Sequence, residues 1–428
     1  MRKLFAACSI AIAALATAPA SAETVVVTAD RLVDVLAGRT VERPVVVITD
    51  GRIVSVVGEG AARPVIPEGA TRIDLPGKTL LPGLIDMHVH LDSNPRYGGY
   101  TRLRFTDHFW TAQGVANARA MLEAGFTTIR NVGSRDFSDV GIKEAIEEGI
   151  IEGPRIVPAG HSLGATGGHC DNNLLPPSYQ ATRGGVADGP QALRSRAREQ
   201  RKYGAEVIKA CATGGVFSRN TGVGQQQLTL EELSAIVAEA RQLGMTTAAH
   251  AHGTEGIKAA IEAGFTTIEH ASFLDDEAIR MAIRRGTFLS MDIYNTEYTL
   301  AEGERNNVLP ENLEKERQVG TRQRESFRRS VELGARHVFG SDAGVYPHGT
   351  GGRQFARMVQ FGMTPMQAIQ AATANAAEAL ARTADLGAIA PGRFGDMIAV
   401  DGDPLRDISL LESVPVVIKG GRLVVDRR

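Results

Sequence analysis

Between residues 81 and 382, short apolar runs rich in β-branched side chains alternate with segments of helical periodicity. The runs fall at 81–91, 127–133, 155–160, 206–215, 246–253, 266–272, 287–294 and 337–344. Helix-like spacing occupies 108–124, 190–203, 229–243, 254–263, 275–285, 312–333 and 364–382. Thr229-Leu230-Glu231-Glu232 has the capping-box form that starts a helix, an N-cap hydroxyl with Glu three residues on. Strands that alternate with helices make a parallel sheet, and eight such units predict an α/β fold, a closed (β/α)8 barrel of the TIM type. An internal echo fits this: Glu123-Ala-Gly-Phe-Thr-Thr-Ile129 recurs as Glu262-Ala-Gly-Phe-Thr-Thr-Ile268, each copy running from a helix end into a strand.

The two ends of the chain read differently. Strand-like runs at 24–28, 43–49 and 53–57, with Asp50-Gly51 as a hairpin turn, are mirrored by runs at 396–401, 415–419 and 422–425. They predict a small β-sandwich domain built from 23–80 plus 384–428, flanking a barrel over 81–383. Ahead of both, Arg2 and Lys3 precede an apolar stretch that ends in Ala20-Ser21-Ala22, the pattern of a bacterial Sec-type signal peptide over residues 1–22. Cleavage after Ala22 and export to the periplasm or medium are expected, leaving about 406 residues. Two connections are long, 161–189 and 295–310, and each follows a predicted strand, which puts them at the catalytic end of a barrel.

Charge excludes some classes of function. Without Arg2 and Lys3 the chain carries 45 basic against 49 acidic residues, a formal charge of −4. No basic footprint for nucleic acid or a membrane surface is present, and no later segment is apolar enough to span a bilayer. Cys170 and Cys211 are too few for a disulfide framework; pairing and unpaired burial are both open to them.

The chemistry lies at the ends of the predicted strands. His88 and His90 close the run 81–91, and alternation in a strand points both imidazoles the same way. An isolated pair of this kind is equally compatible with ordinary core or surface histidines. Here the chain adds Lys209 in 206–215, His250 in 246–253, His270 in 266–272 and Asp342 in 337–344. Barrel strand ends converge on one face. Four neutral imidazoles and a carboxylate suit one or two divalent ions of the zinc type. A lysine ammonium facing such ions would be repelled, so Lys209 fits best as an amine that has reacted with carbon dioxide. The N6-carboxylysine so formed is an anion able to bridge two ions, which would hold a hydroxide and polarise a carbonyl. Asp342 beside it would carry the proton to the leaving amine.

This constellation resembles the amidohydrolase superfamily, in its binuclear subtype with a carboxylated lysine. The resemblance rests on PGLIDMHVH (82–90), GSDAG (340–344) and LGAIAPGRFGDMIAV (386–400), and covers nearly the whole mature chain. VIKACATGGV, AAHAHG and TTIEHAS look like the branch that contains Xaa-Pro dipeptidases and ochratoxinase-type carboxypeptidases. It implies His88, His90 and Asp342 on one ion, His250 and His270 on the other, and Lys209 bridging two ions, most simply Zn2+. His252 shares a strand face with His250 and is a candidate to stabilise the oxyanion. His161 and His169 are candidates to hydrogen-bond substrate, and Arg219 and Tyr294 to hold a C-terminal carboxylate.

The expected activity is metal-hydroxide cleavage of the amide bond to a C-terminal amino acid, in a dipeptide, an N-acyl amino acid or an ochratoxin-like phenylalanine amide. The expected partner is that small molecule, and the expected assembly a homo-oligomer. Cyclic-amide hydrolysis and deamination are the alternatives within the superfamily. A periplasmic binding protein with a purely structural metal is the alternative outside it.

Overall fold

The computed structural model describes residues 23–428, so the expected signal peptide lies outside the described residues. Among these, no helix is long and apolar enough to cross a membrane.

Strands from both chain ends do combine. Thr24–Asp34, Arg39–Glu42, Val45–Thr49, Arg52–Val57 and Thr71–Pro82 join Met397–Asp401, Val416–Lys419 and Arg422–Asp426 in one eight-stranded sheet. The junction is Thr71–Pro82, parallel to Thr24–Asp34 on one side and antiparallel to Met397–Asp401 on the other. Strand alternation gives the sheet two apolar faces. Met397 and Ala399 pack with Val25, Ile48, Leu75 and Leu80, whereas Ile398 and Val400 join the large core of the central region.

The central strands are parallel. Leu84–Val89 (β1), Phe126–Asn131 (β2) and Arg155–Pro158 (β3) form a three-stranded sheet. Val207–Cys211 (β4), Thr246–Ala251 (β5), Thr267–His270 (β6), Phe288–Ser290 (β7) and His337–Val338 (β8) form a five-stranded one. Backbone hydrogen bonds link the sheets at both margins. On one side Met87 N–H donates to the Phe339 carbonyl and His90 N–H to that of Ala343, each at 2.8 Å. On the other, Leu163 N–H donates to Lys209 and Cys211 N–H to Leu163, again at 2.8 Å.

Several elements depart from the pattern-based expectation. The run 81–91 is not one strand: Leu81 and Pro82 end the terminal sheet, and β1 begins at Leu84. Gly83 makes the join because a Cβ there would collide with the Thr127 side chain. The connection 295–310 contains a helix, Asn295–Glu302, ahead of the long helix Pro310–Glu332. The expected helix 364–382 is two, Pro365–Ala371 and Ala374–Ala379, broken at Thr373, whose hydroxyl turns back to the Ile369 carbonyl at 2.6 Å. The connection 161–189 is long and mostly irregular, as expected, and it is pinned by a disulfide from Cys170 to Cys211 at the end of β4.

Candidate metal centre

Strand β1 and the turn after β8 build one half of the site. Asp342 follows β8 with a left-handed backbone, φ 58°, and its N–H donates to the His88 carbonyl at 2.8 Å. A non-glycine residue in that region is strained and persists only where its surroundings impose it. The turn brings Asp342 Oδ1 to 3.5 Å from Nε2 of both His88 and His90.

Strands β4, β5 and β6 build the other half. Lys209 lies opposite Ala248, His250 opposite Glu269, and Ala251 opposite His270. His270 and Ala271 are also left-handed, with φ 68° and 47°. Nitrogens of His250, His252 and His270 lie within 4.8 Å of one another, as do donor atoms of His88, His90 and Asp342. A third triad, His270, Asp292 and Asp342, overlaps the other two. The rings of His88 and His270 are 4.9 Å apart, so the halves adjoin.

Burial sets the charge state of this cluster. It draws the Lys209 amine down to about 8, against the pull of the Glu269 carboxylate. It also holds His250 and His252 far below 6.5, helped by the neighbouring imidazoles. Both are therefore neutral, the form that binds metal. His250 Nε2 is buried with no hydrogen-bond partner among the described residues. Native interiors rarely leave such an atom unmet. An orphaned imidazole nitrogen in one triad, with a second triad of imidazole and carboxylate donors adjoining it, fits a pair of divalent cations.

A supporting layer fixes these side chains. His88 Nδ1 lies 2.9 Å from Glu269 Oε2, which leaves Nε2 for the Asp342 side. Arg130 in turn grips Glu269 Oε1 at 2.8 Å, and also donates to the Met87 carbonyl at 2.6 Å. Burial works to raise the Glu269 carboxyl, but Arg130 and His88 outweigh it and hold it well below the usual range. His270 Nδ1 meets Asp292 Oδ1 at 3.0 Å, and Gln323 donates to the same oxygen at 2.8 Å. Such outer partners set tautomer and ring orientation.

The cluster opens into a cavity of about 280 Å³, at the lower end of the size that takes a small molecule. His169 and His161 line it, and the His169 ring stacks on His250 with centroids 4.1 Å apart. Tyr97 and Trp110 supply an aromatic wall, and the helix Pro310–Glu332 lays Asn312, Glu316, Val319 and Gln323 along another. Two expected residues are not brought here. Arg219 is on the surface, where its Nε pairs with Glu311 at 3.1 Å and its Nη1 donates to Tyr100 at 2.6 Å. Tyr294 is buried against Tyr346, and its hydroxyl accepts from Arg353 at 3.1 Å. Both groups already have partners outside the cavity.

Residues not picked out from the sequence include Asp292, Glu269, Arg130 and the cavity face of the long helix. Asp292 carried the same signal as Asp342, a lone carboxylate ending an apolar run. Glu269 sits beside His270 and gave no separate pattern.

Comparison with known proteins agrees with this geometry. The Amidohydrolase family matches residues 79–424. An ochratoxinase from Aspergillus niger is 32% identical over 410 residues, covering 90% of this chain and 84% of its own. The crystal structure of a Xaa-Pro dipeptidase with methionine bound in its active site superposes with a TM-score of 0.86 at 35% identity, over 94% of this chain and 100% of that one. A prolidase complexed with N-methylphosphonate-L-proline gives 0.86 at 31%, over the same shares. The chain belongs to the amidohydrolase family and is a hydrolase of amide or peptide bonds.

Proposed function

We propose that the chain is an exported, binuclear metal-dependent hydrolase that cleaves the amide bond to a C-terminal amino acid. The observation that carries this reading is the pair of donor triads, His88/His90/Asp342 and His250/His252/His270, with Lys209 buried among the same strand ends. His88, His90 and Asp342 would hold one ion, His250 and His270 the other, with Lys209 as N6-carboxylysine between them and zinc the simplest choice. Bound there, two divalent ions would polarise the scissile carbonyl and acidify a water.

The chain's own groups do the rest. Asp342, whose Oδ1 lies 3.5 Å from Nε2 of both His88 and His90, would take a proton beside the reacting carbonyl and return it to the leaving amine. His252, held by Ser272 at 2.8 Å, is placed to donate towards the carbonyl oxygen as charge develops there. The seams between the parallel sheets support a closed (β/α)8 barrel over 81–383. The terminal sheet supports a β-sandwich domain over 23–80 plus 384–428. The Cys170–Cys211 disulfide supports folding in an oxidising compartment, in line with export.

Similarity to a Xaa-Pro dipeptidase, a prolidase and an ochratoxinase directs the choice of substrates. The test is to assay metal-loaded enzyme against dipeptides and N-acyl amino acids, aromatic amides included, with elemental analysis alongside. About two ions per chain and cleavage beside a C-terminal residue are expected. One ion per chain with release of ammonia from a heterocycle would overturn the reading.

A further inference from the structure

Hydrolysis next to a C-terminal amino acid leaves one chemical question open, namely what recognises the free α-carboxylate. The two residues first suited to it, Arg219 and Tyr294, are engaged elsewhere. From the geometry of the cavity we infer that Arg183 is the carboxylate-binding residue, and so selects N-acyl amino acids and dipeptides over neutral amides. This rests on the amide-hydrolase reading above and specifies its substrate class.

Three cavity-lining arginines compete for the role: Arg102, Arg135 and Arg183. Arg135 is already committed, since it donates to the Asp92 backbone and carboxylate at 2.9 and 3.3 Å and lies 5.0 Å over the Trp110 ring. Arg183 has no ion pair, and its guanidinium donates no hydrogen bond among the described residues. Arg102, on a short 3-10 turn, is likewise unpaired among the described residues. What separates them is proximity to the metal cluster. Gly184, next to Arg183, lies so close to His161 that a Cβ there would collide with its ring, and His169 of the same loop stacks on His250; the turn that carries Arg102 packs instead on Asn306 and Asn307 through Gly98 and Gly99.

The loop holds Arg183 in place by its backbone, leaving the side chain free. Asp171 Oδ1 accepts from Arg183 N–H at 3.3 Å and from the Thr182 hydroxyl at 2.9 Å. Its other oxygen accepts from Gly167 N–H at 2.8 Å. Asp171 adjoins Cys170, whose disulfide to Cys211 anchors the segment to the strand that bears Lys209. On the other side, Gly185 lies against the Ser162 carbonyl so closely that a Cβ would collide with it. A guanidinium mounted on a backbone fixed at both sides can take a carboxylate in its bidentate fork with little further ordering.

The test compares N-benzoyl-L-phenylalanine with N-benzoyl-2-phenylethylamine, the same amide lacking the carboxylate. Wild-type enzyme is expected to favour the acid by kcat/KM. Arg183→Ala should cut that preference by at least about 30-fold, chiefly through KM. Arg183→Lys should keep part of it, as a point charge without the fork. Melting temperature controls for folding. If the wild type favours the acid and Arg183→Ala keeps the same preference, the Arg183 assignment falls and the functional reading stands. If the wild type cleaves no N-acyl amino acid or dipeptide, that reading falls and takes this inference with it.

Discussion

Arg130 and Glu269 occupy the same place in two copies of one motif, and they pair with each other. Each follows a Glu-Ala-Gly-Phe-Thr-Thr-Ile run, at 123–129 and 262–268, on strands β2 and β6 of the two parallel sheets. Both side chains are fully buried, and Arg130 Nη2 lies 2.8 Å from Glu269 Oε1. Thr267, from the second copy, donates to the same carboxylate and accepts from Arg130 Nη1 at 3.0 Å. A repeated βα unit has thus supplied both halves of the ion pair that orients His88.

On the proposed metal reading, that arrangement makes Glu269 a residue that tunes the centre by orienting His88 without being a ligand. Glu269→Gln keeps the shape but weakens the hold on His88 Nδ1, so affinity for zinc should fall about 10–100-fold, read by chelator competition. Arg130→Met should behave differently, because it strands a buried carboxylate; a loss of about 3–5 kcal/mol of stability in urea unfolding is expected. Zinc affinity equal to wild type in Glu269→Gln would show that the contact has no influence on the centre.

Lys209→Ala should abolish hydrolysis while leaving the fold intact, since the neighbours of Lys209 on β5 are small alanines. Short carboxylic acids added with excess metal should restore part of the activity by standing in for the carbamate. Full activity in the purified variant without such additions would remove the bridging role.

Acid stability should report on His337, which lies behind the site on β8. Burial lowers its imidazole to about 4, with the Ala335 carbonyl acting weakly the other way. The unfolded chain takes up this proton near 6.5 and the folded chain only near 4. Stability from this group is therefore complete above 6.5 and is lost as pH falls through that window. The loss is about 1.4 kcal/mol per pH unit while only the unfolded form is protonated. A His337→Gln variant should show a flatter dependence of melting temperature between pH 6.5 and 4, and an unchanged slope would count against it.

The parts of this site that were readable from sequence share a cause. His88, His90, His250, His270 and Asp342 are polar residues interrupting apolar runs, and in an alternating α/β chain such interruptions fall at strand ends. The carboxylate-binding position was not readable. Arg219 and Arg183 are both arginines in Gly-containing loops, and only the folded loop decides which guanidinium is free. The helix Asn295–Glu302 was missed because its stability is tertiary. Its Asn295 donates to Asp292 at 3.0 Å and to Asp342 at 3.1 Å, and its Thr296 to Glu316 at 2.5 Å. Local propensity says nothing of such contacts.

The disulfide can be tested apart from the metal. In Cys170→Ser/Cys211→Ser the loop from 161 to 189 loses its covalent tie to β4. We expect KM for carboxylate substrates to rise about 10-fold or more, since a loosened loop must be ordered on binding. Metal content should stay at the wild-type level. A double variant with unchanged KM would show that the loop is held without it.

The same bond has a practical consequence. It spans 41 residues and joins the loop that carries Arg183 to the strand that carries Lys209. A polypeptide made in a reducing cytosol and one made in an oxidising compartment would then share a sequence and a metal load but differ in selectivity. The substrate preference measured for a preparation would carry a record of where that preparation was folded.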